Sequence, residues 1–419
     1  MISPATSFRR RFALGLWFAL LVFLLVLPGV LGSLASLFAL IAALLSLLLA
    51  FDPERAKVAA RQPLVAIFLA AFCLLSIILI VTAESPGEAL NVFNFIPFFL
   101  ALPVFILACI AGPNVASAVA TACLLGALAA TAHGLIDISI FGYGRAGRWL
   151  SNENVYGRAS LLLGFLAPIG YFNSQSCWRV VFWTGPFLGT LAMIMSGSRG
   201  AFLALPFLIL ISLYFLITST PRKQIVMAAL GLTALVGAIA IAILLVWDSG
   251  RFIGIAETAW SAITGTGKID SSTEKRLLMY DAGLEAFLNR PWLGHGWGNL
   301  INAAAAYMTP DQASYALRNQ NHLHNDPINF AVGAGLPGIL AYAALLTAPL
   351  IQLFATPPDR RNTAAKYGTA VLVATYLITG QFNMSLGYDL PTTMYAFIAA
   401  LLCASLQLPA ARVRGRLMS

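Results

Sequence analysis

The sequence predicts an all-α protein that crosses a membrane many times. Of its 419 residues, 59% are hydrophobic and only 10% are charged, and apolar runs of about 20 residues recur along the whole chain. Each run is long enough to cross a hydrocarbon core of ~30 Å as a helix. A transmembrane barrel would instead show shorter segments of alternating polarity.

The basic residues predict the orientation of these spans. With the N-terminus in the cytoplasm, the Arg- and Lys-rich short loops and the C-terminus all fall on the cytoplasmic side. These loops account for most of the formal charge of +9, so we expect no nucleic-acid partner. The first run follows Arg9-Arg10-Arg11 without a clear cleavage site, and we expect it to remain as a helix. The predicted spans, about twelve by hydropathy, are roughly 12–30, 33–51, 64–83, 90–111, 116–138, 159–173, 180–196, 201–219, 225–247, 336–355, 368–382 and 391–409.

The domain organisation follows from these spans. Residues 1–247 would hold nine spans with short loops, 248–335 a large periplasmic loop, and 336–419 three spans and a basic cytoplasmic tail. A loop of this length is usually functional or folded in its own right. The segments predicted on the outer side are 84–89, 139–158, 196–200, 248–335 and 383–390.

The large outer loop contains one clear helix signal. Ser271-Ser-Thr-Glu274 has the composition of a helix start, apolar residues follow at helical spacing as far as Asn289, and Arg290-Pro291 would end the helix. We therefore expect a small, mostly helical cap on the outer face.

The most polar stretch of the chain is Arg318-Asn-Gln-Asn-His-Leu-His-Asn-Asp-Pro-Ile-Asn-Phe330. Asp326 followed by Pro327 predicts a helix start, with Asp326 as N-cap. His324 would lie just before that helix, and an imidazole can take or give a proton near neutral pH. The alternative is that His322 and His324 only anchor a loop at the membrane surface.

Several outer arginines run against the charge bias of the loops and are candidates for binding an anion. Arg199 lies in a glycine-flanked turn, where an arginine can hold phosphate oxygens or, alternatively, snorkel or pair with an acid. Arg276 is near a helix start, where the macrodipole disfavours a cation; a solvated face is its alternative. Arg145 and Arg148 share a loop with glycines and asparagines that suits a sugar, a phosphate or simple hydration.

The motifs that the sequence lacks narrow the function. It contains no GxxxxGK[ST], Asp-x-Asp, HExxH or GxSxG pattern, and few acids lie within the predicted spans, which argues against an ion-coupled transporter. The five cysteines lie in predicted spans or on the cytoplasmic side and indicate no disulfide framework. Outer arginines and a histidine above an apolar bundle favour a metal-free transfer from a lipid-linked anionic donor.

Five short pieces of the sequence together resemble the O-antigen ligase and O-antigen polymerase family of bacterial inner-membrane glycosyltransferases. The resemblance covers roughly residues 140–355, and the order and spacing of the pieces carry it. A loop from Arg145 to Asn154 also resembles the family's Arg- and Asn-containing segment, with either Arg145 or Arg148 in the place of its arginine. The pieces are Ser196-Gly-Ser-Arg-Gly-Ala201, Arg276, Arg290-Pro-Trp-Leu-Gly-His-Gly-Trp-Gly298, His322-Leu-His-Asn-Asp326 and Gly333-Ala-Gly-Leu-Pro-Gly338.

This resemblance implies an O-antigen ligase with a GT-C-like helical fold in the inner membrane of a Gram-negative bacterium. The donor would be an O-antigen glycan on undecaprenyl diphosphate, and the acceptor a sugar hydroxyl of lipid A–core at a periplasmic active site. The reaction would be inverting, with no metal, no cofactor and no nucleoside triphosphate.

The resemblance also implies roles for individual residues. His324 would act as general base or orient the acceptor hydroxyl. Arg199 and Arg276, with Arg145 or Arg148, would bind the diphosphate and stabilise the leaving group. Supporting candidates are His322, Asn325, Asp326, Arg290 and Arg318.

Three other functions remain possible from the sequence. An O-antigen polymerase or a protein-glycosylating ligase would use the same donor with another acceptor; the single large outer loop and the short basic tail favour the lipopolysaccharide ligase over both. A transporter of lipid-linked glycan or another anion would place the outer arginines around a central pore, whereas a transferase would place them in a cleft open to lipid.

Overall fold

The computed structural model describes residues 4–50, 53–112, 114–148, 152–174, 176–219, 271–358 and 362–407. Throughout these ranges the regular structure is helical, and they contain no β-strand. The predicted all-α fold is therefore confirmed.

We label the described α-helices α1 to α18 in chain order. Short π- or 3₁₀-helical segments extend several of them, at Val22–Val26, Leu90–Phe95, Cys177–Trp183 and Trp297–Asn299. The helices are α1 Pro4–Leu21, α2 Pro28–Leu31, α3 Ser33–Ala50, α4 Pro53–Ala60, α5 Pro63–Val81, α6 Pro86–Ala89, α7 Ile96–Ala111, α8 Val115–Ser139, α9 Glu153–Leu166, α10 Ile169–Asn173, α11 Thr184–Ser196, α12 Arg199–Ser219, α13 Ser271–Asn289, α14 Leu300–Ala305, α15 Pro310–Asn319, α16 Asp326–Ala355, α17 Thr363–Thr379 and α18 Asp389–Gln407.

Eight helical stretches in the described ranges are long and apolar enough to cross a membrane. A further apolar helix, Ser33–Leu49, is shorter. The predicted span 225–247 lies outside the described residues, as do part of the large outer loop and the basic tail, so the count of about twelve and the domain boundaries stay predictions. The eight stretches are Pro63–Val81, Pro86–Ala111, Val115–Ser139, Glu153–Asn173, Cys177–Ser196, Arg199–Ser219, Asp326–Ala355 and Asp389–Gln407.

Two of these stretches, Glu153–Asn173 and Asp389–Gln407, are almost fully buried and form the centre of the bundle. Helix α9 packs closely on α11. A Cβ on Gly164 would lie only 2.6 Å from the carbonyl oxygen of Gly185, so this approach requires a glycine. Such close approach through small residues is a common way to pack helices in a membrane. The bundle thereby buries α9, which carries a charged residue of the candidate site.

The described parts of the five segments predicted on the outer side lie at one end of this bundle. The Asn299 amide donates to Glu88 Oε2 at 3.2 Å, which joins the large loop to the first outer segment. Arg145 Nε donates to the carbonyl of Ser196 at 2.7 Å. Asn383 Oδ1 lies 3.2 Å from His324 Nδ1. These contacts bring the outer segments together over the ends of the helices.

Helix α16 contains a kink at Gly335, whose φ of 65° suits glycine. The break exposes backbone groups that pair with the glycine-rich turn after α13: Leu336 N donates to Pro291 O at 2.7 Å, and His295 N donates to Val332 O at 2.7 Å. Two pieces of the predicted resemblance, around Gly294 and around Gly335, are therefore in backbone contact.

The start of α16 differs from the prediction. Its N-cap is Asn325, whose side-chain oxygen accepts from Ile328 N at 3.0 Å, so the prediction of Asp326 as N-cap is wrong. The Asp326 carboxylate instead accepts from the backbone N–H groups of Ser385 and Leu386, at 2.7 and 3.3 Å. Because both oxygens serve this distant segment, the neighbouring asparagine caps the helix.

Candidate active site

A cavity of about 170 Å³ opens at the outer end of the bundle and is lined by four arginines, Arg145, Arg158, Arg199 and Arg276. They come from four separate parts of the chain: a loop, α9, the start of α12 and α13. No acidic side chain is among the described residues that line the cavity, so its potential favours an anion. The other lining residues are Asn154, Gly197, Ser198, Gly200, Thr379, Phe382 and Asn383.

Arg145 reaches the cavity because the loop after α8 is tied to its neighbours. The Asp137 carboxylate accepts from Gly147 N at 2.7 Å, and Ala146 N donates to Met195 O at 2.9 Å. The Arg145 guanidinium then donates through Nε to Ser196 O. Arg148, three residues further on, is exposed and does not line the cavity.

Arg199 lies where the sequence predicts a tight turn. Helix α11 ends at Ser196, Gly197 adopts a left-handed conformation with φ of 62°, and α12 begins at Arg199. A Cβ on Gly157 would lie 2.8 Å from Ser198 Cβ, so this turn packs directly on α9. The N-terminus of α12 therefore faces the cavity, and backbone N–H groups at such an end attract anions.

Arg158 is the buried member of the group, with 6% of its surface exposed. Its two terminal nitrogens each donate to the carbonyl of Met384 at 3.1 Å, and Nη1 also donates to the Ser385 hydroxyl. These bonds hold the guanidinium in place against the segment between α17 and α18. Sequence reasoning counted Arg158 among the outer cations without placing it in the site.

Arg276 projects from α13 and is half-buried at the cavity. One turn further along the same helix, the Tyr280 hydroxyl contacts two carbonyl oxygens, His324 O at 3.0 Å and Gln381 O at 3.2 Å. Burial raises the pKa of Tyr280, and the Arg276 charge opposes that rise. Tyr280 thus connects α13 to the backbone of His324 and to the segment after α17.

The two histidines of the polar stretch lie against each other, with ring centroids 4.3 Å apart. Both contact the same atom: Asn383 Oδ1 lies 3.0 Å from His322 Nε2 and 3.2 Å from His324 Nδ1. On its other side, His324 Nε2 lies 2.7 Å from Oε1 of Gln320. Since Asn383 also lines the cavity, it connects the histidine pair to the arginines.

His324 has an unusual backbone conformation. Its φ of 54° makes it the non-glycine residue with positive φ in the described part of the chain. A left-handed conformation costs a non-glycine residue about 1–3 kcal/mol and is frequent at functional sites. The hydrogen bond from Tyr280 to the His324 carbonyl helps to hold this conformation.

Both imidazoles are poor proton acceptors in this cationic site. Burial, together with the neighbouring His322 and Arg276, lowers the pKa of His324 to about 3. Burial also lowers the pKa of His322, while its bond to Asn383 opposes the shift. At neutral pH both rings are therefore neutral, and each carries one proton and one lone pair.

Neither the two histidines nor the remaining predicted residues are among the residues that line the cavity. Asn325 caps α16, and Asp326 is fully buried beneath the site. Arg290 and Arg318 are exposed, and the Arg318 Nε donates to Ser314 O of its own helix. Their supporting roles stay predictions.

Sequence reasoning did not single out Asn383, Gln320, Tyr280 or Phe382. The available signals were the polar stretch 318–330, which contains Gln320, and the polar segment 383–390, which interrupts two apolar runs and was predicted as an outer loop without a role.

A comparison with protein families now bears on this geometry: residues 185–343 match the family model described as O-Antigen ligase. Residues 185–343 are thus similar to the O-antigen ligase family. The predicted resemblance is confirmed, and the family indicates a glycosyltransferase of the ligase or polymerase type. The matched range contains Arg199, Arg276 and both histidines, whereas Arg145, Arg158 and Asn383 reach the cavity from outside it. A comparison with curated proteins finds no match.

Proposed function

We propose that the protein is an O-antigen ligase that moves a glycan from undecaprenyl diphosphate to a sugar hydroxyl of lipid A–core. The observation that carries this proposal is the convergence of four arginines on one cavity beside a histidine pair. The family of residues 185–343 supports the same reaction class.

The proposed chemistry is a single displacement. The acceptor hydroxyl oxygen attacks the anomeric carbon of the first donor sugar, and the bond from that carbon to the phosphate oxygen breaks. The electron pair leaves with undecaprenyl diphosphate, and the hydroxyl proton passes to the His324 imidazole. Attack opposite to the leaving group inverts the anomeric configuration.

The arginines supply the electrostatic part of this reaction. Negative charge grows on the leaving diphosphate, and donors aimed at developing charge are often the largest catalytic contribution. Arg145, Arg199 and Arg276 line the cavity with guanidinium groups that can hold phosphate oxygens in a bidentate manner. A bound diphosphate would also offset the Arg276 charge that lowers the pKa of His324, and so make the imidazole a better base.

The cellular setting of the proposal combines two arguments: the family resemblance implies the inner membrane of a Gram-negative bacterium, and the charge bias of the loops implies the orientation. The protein would lie in the inner membrane of a Gram-negative bacterium, with both termini in the cytoplasm and the cavity in the periplasm. The donor's lipid chain would remain in the bilayer while its diphosphate enters the cavity.

The identity of the product shows which acceptor the protein uses. Purified protein would be mixed with undecaprenyl-diphosphate O-antigen and lipid A–core in EDTA, and the lipid A–core band followed by gel shift. A shifted band supports the ligase. Glycan that lengthens on its own carrier would instead identify a polymerase, and glycan on an added acceptor protein a protein-glycosylating ligase.

The transporter alternative is separated from all three enzymes by a flux measurement. If no glycan reaches any acceptor but liposomes containing the protein move the lipid-linked glycan across the bilayer, the enzyme proposal is wrong. Arg61→Gln, an exposed cation on the other predicted side, serves as the control variant for both measurements.

A further inference from the structure

Asn383 makes three contacts through one side-chain atom. Its Oδ1 lies 2.9 Å from the backbone nitrogen of Met384, 3.0 Å from His322 Nε2 and 3.2 Å from His324 Nδ1. Asn383 lies in the segment between α17 and α18, 59 residues away from His324 in sequence.

The contact with the Met384 backbone determines which atom donates in the two hydrogen bonds between Asn383 and the histidines. A backbone N–H can only donate, so the Asn383 atom facing it is the carbonyl oxygen and acts as an acceptor. Both ring nitrogens that face this oxygen must then donate. In neutral rings, His322 carries its proton on Nε2, and His324 carries its proton on Nδ1.

We propose that Asn383 is a positioning residue that sets opposite tautomers in the two histidines and leaves Nε2 of His324 as the unprotonated nitrogen. The tautomers follow from the Asn383 contacts together with two amide orientations: Gln320 and Asn321 must turn their NH₂ groups, in place of Oε1 and Oδ1, toward His324 Nε2 and His322 Nδ1. Their importance for glycosyl transfer rests on the proposed function.

The segment that carries Asn383 is itself held from two sides. Arg158 donates to the carbonyl of Met384, and Asp326 accepts from the amides of Ser385 and Leu386. Both charged side chains are buried, with 6% and 0% of their surfaces exposed. Because the segment is held in this way, the position of Asn383 is fixed, and so is the direction of its hydrogen bonds to the two histidines.

This arrangement also assigns a role to Gln320. Its Oε1 lies 2.7 Å from His324 Nε2, the nitrogen that carries the lone pair, so the Gln320 amide must be turned over for the two groups to pair. An amide can present its NH₂ end to such a lone pair. In the resting site Gln320 would satisfy this nitrogen, and the acceptor hydroxyl would replace Gln320 when substrate binds.

The tautomers can be measured directly, because the chain has only four histidines. Full-length protein labelled with ¹⁵N-histidine in lipid nanodiscs would be studied by ¹⁵N NMR near pH 7.5, and each ring assigned with a single His→Asn variant. We expect Nε2–H for His322 and Nδ1–H for His324. His295 is an internal control: its Nε2 lies 2.8 Å from the Ala286 carbonyl, which can only accept, so it should be Nε2–H throughout.

Asn383→Leu removes the shared acceptor, and Asn383→Asp keeps it. The leucine variant should convert both rings to tautomer mixtures while His295 is unchanged, and the aspartate variant should restore the wild-type tautomers. Nε2–H on His324 in the wild type would overturn the inference, and so would unchanged tautomers in the leucine variant. If the leucine variant fails to fold, the wild-type tautomers alone decide.

A rate measurement separates this inference from the proposed function. If the protein transfers glycan, Asn383→Leu should lower kcat on the order of 10²-fold, since a misplaced general base loses most of its effect. The KM for the donor should change little, because the cavity arginines remain. Correct tautomers in a protein that transfers no glycan would refute the function and leave the inference standing. Glycan transfer by a protein whose histidines carry other tautomers would refute the inference and leave the function standing.

Discussion

At the scale of single residues, the four cavity arginines differ in how they are held. Arg158 is buried and bonded to backbone and hydroxyl groups, whereas Arg145 is half-buried and donates to Ser196 O. Arg158 should therefore matter for folding as well as for anion binding. Arg145 should matter mainly for binding.

This difference predicts distinct outcomes for two matched variants. Arg158→Met leaves the Met384 carbonyl and Ser385 hydroxyl without their buried donor, and each unsatisfied group costs about 1–3 kcal/mol, so Tm should fall clearly. Arg145→Met should lower transfer with a Tm near wild type. Thermal unfolding in detergent, read beside transfer rates, measures both. A lower Tm for Arg145→Met than for Arg158→Met would contradict this assignment.

The protonation of His324 gives a second prediction at this scale. With its pKa lowered to about 3, the ring should stay neutral as pH falls from about 7.5 to about 5. Below about pH 6.5 the His324 ring is protonated in the unfolded chain but stays neutral in the folded protein. This difference lowers the free energy of unfolding as pH drops. ¹⁵N NMR titration measures the ring directly. Arg276→Gln should raise its pKa, and titration of the wild-type ring near 6.5 would refute the burial argument.

At the scale of elements, the kink in α16 packs against the glycine-rich turn that follows α13. A Cβ on Gly335 would lie 2.6 Å from Pro291 O, in addition to the strain of its positive φ. The two glycine segments therefore fit together only without side chains at these positions. Their packing holds the end of α13, the helix that carries Arg276, against the start of α16.

We expect Gly335→Ala to destabilise the protein and to lower transfer, since both backbone strain and a clash with backbone atoms oppose the methyl group. Gly15→Ala is the matched control, because a Cβ there meets nothing within 4 Å. Size-exclusion profiles and Tm in the same detergent compare the two variants. Equal behaviour would show that the kink tolerates a side chain.

The elements also show how far sequence reasoning reaches. Local signals predicted α13 from its first residue to its end at Asn289 and the glycine turn before Arg199, because composition and periodicity determine such features. They did not predict that Arg145 rather than Arg148 lines the cavity, which depends on the Asp137 contact with Gly147. The contacts of Arg158 with Met384 span 226 residues, and no local pattern encodes a partner that distant.

At the scale of the whole molecule, the predicted outer segments meet above the central helices and enclose a cationic cavity. The basic loops predict that this end of the bundle faces the periplasm, where these arginines run against the charge bias of the loops.

Cysteine labelling tests that orientation. In a variant without the native cysteines, Gly87→Cys and Asp311→Cys should react with a membrane-impermeant maleimide added to spheroplasts. Arg61→Cys should react only after the membrane is permeabilised, because it lies in a predicted cytoplasmic loop. Labelling with the opposite pattern would place the cavity in the cytoplasm and exclude a periplasmic reaction.

The central claim is that the arginine cavity and His324 together transfer a lipid-linked glycan. The most direct measurement is the initial rate of transfer from undecaprenyl-diphosphate O-antigen to lipid A–core by wild type, His324→Ala and Arg61→Gln. We expect His324→Ala to lose about 10²–10⁴-fold of the rate, as removal of a general base does, and Arg61→Gln, exposed and outside the cavity, to keep it. Wild-type rates in His324→Ala, with product still formed, would contradict the claim that this histidine takes part in the reaction.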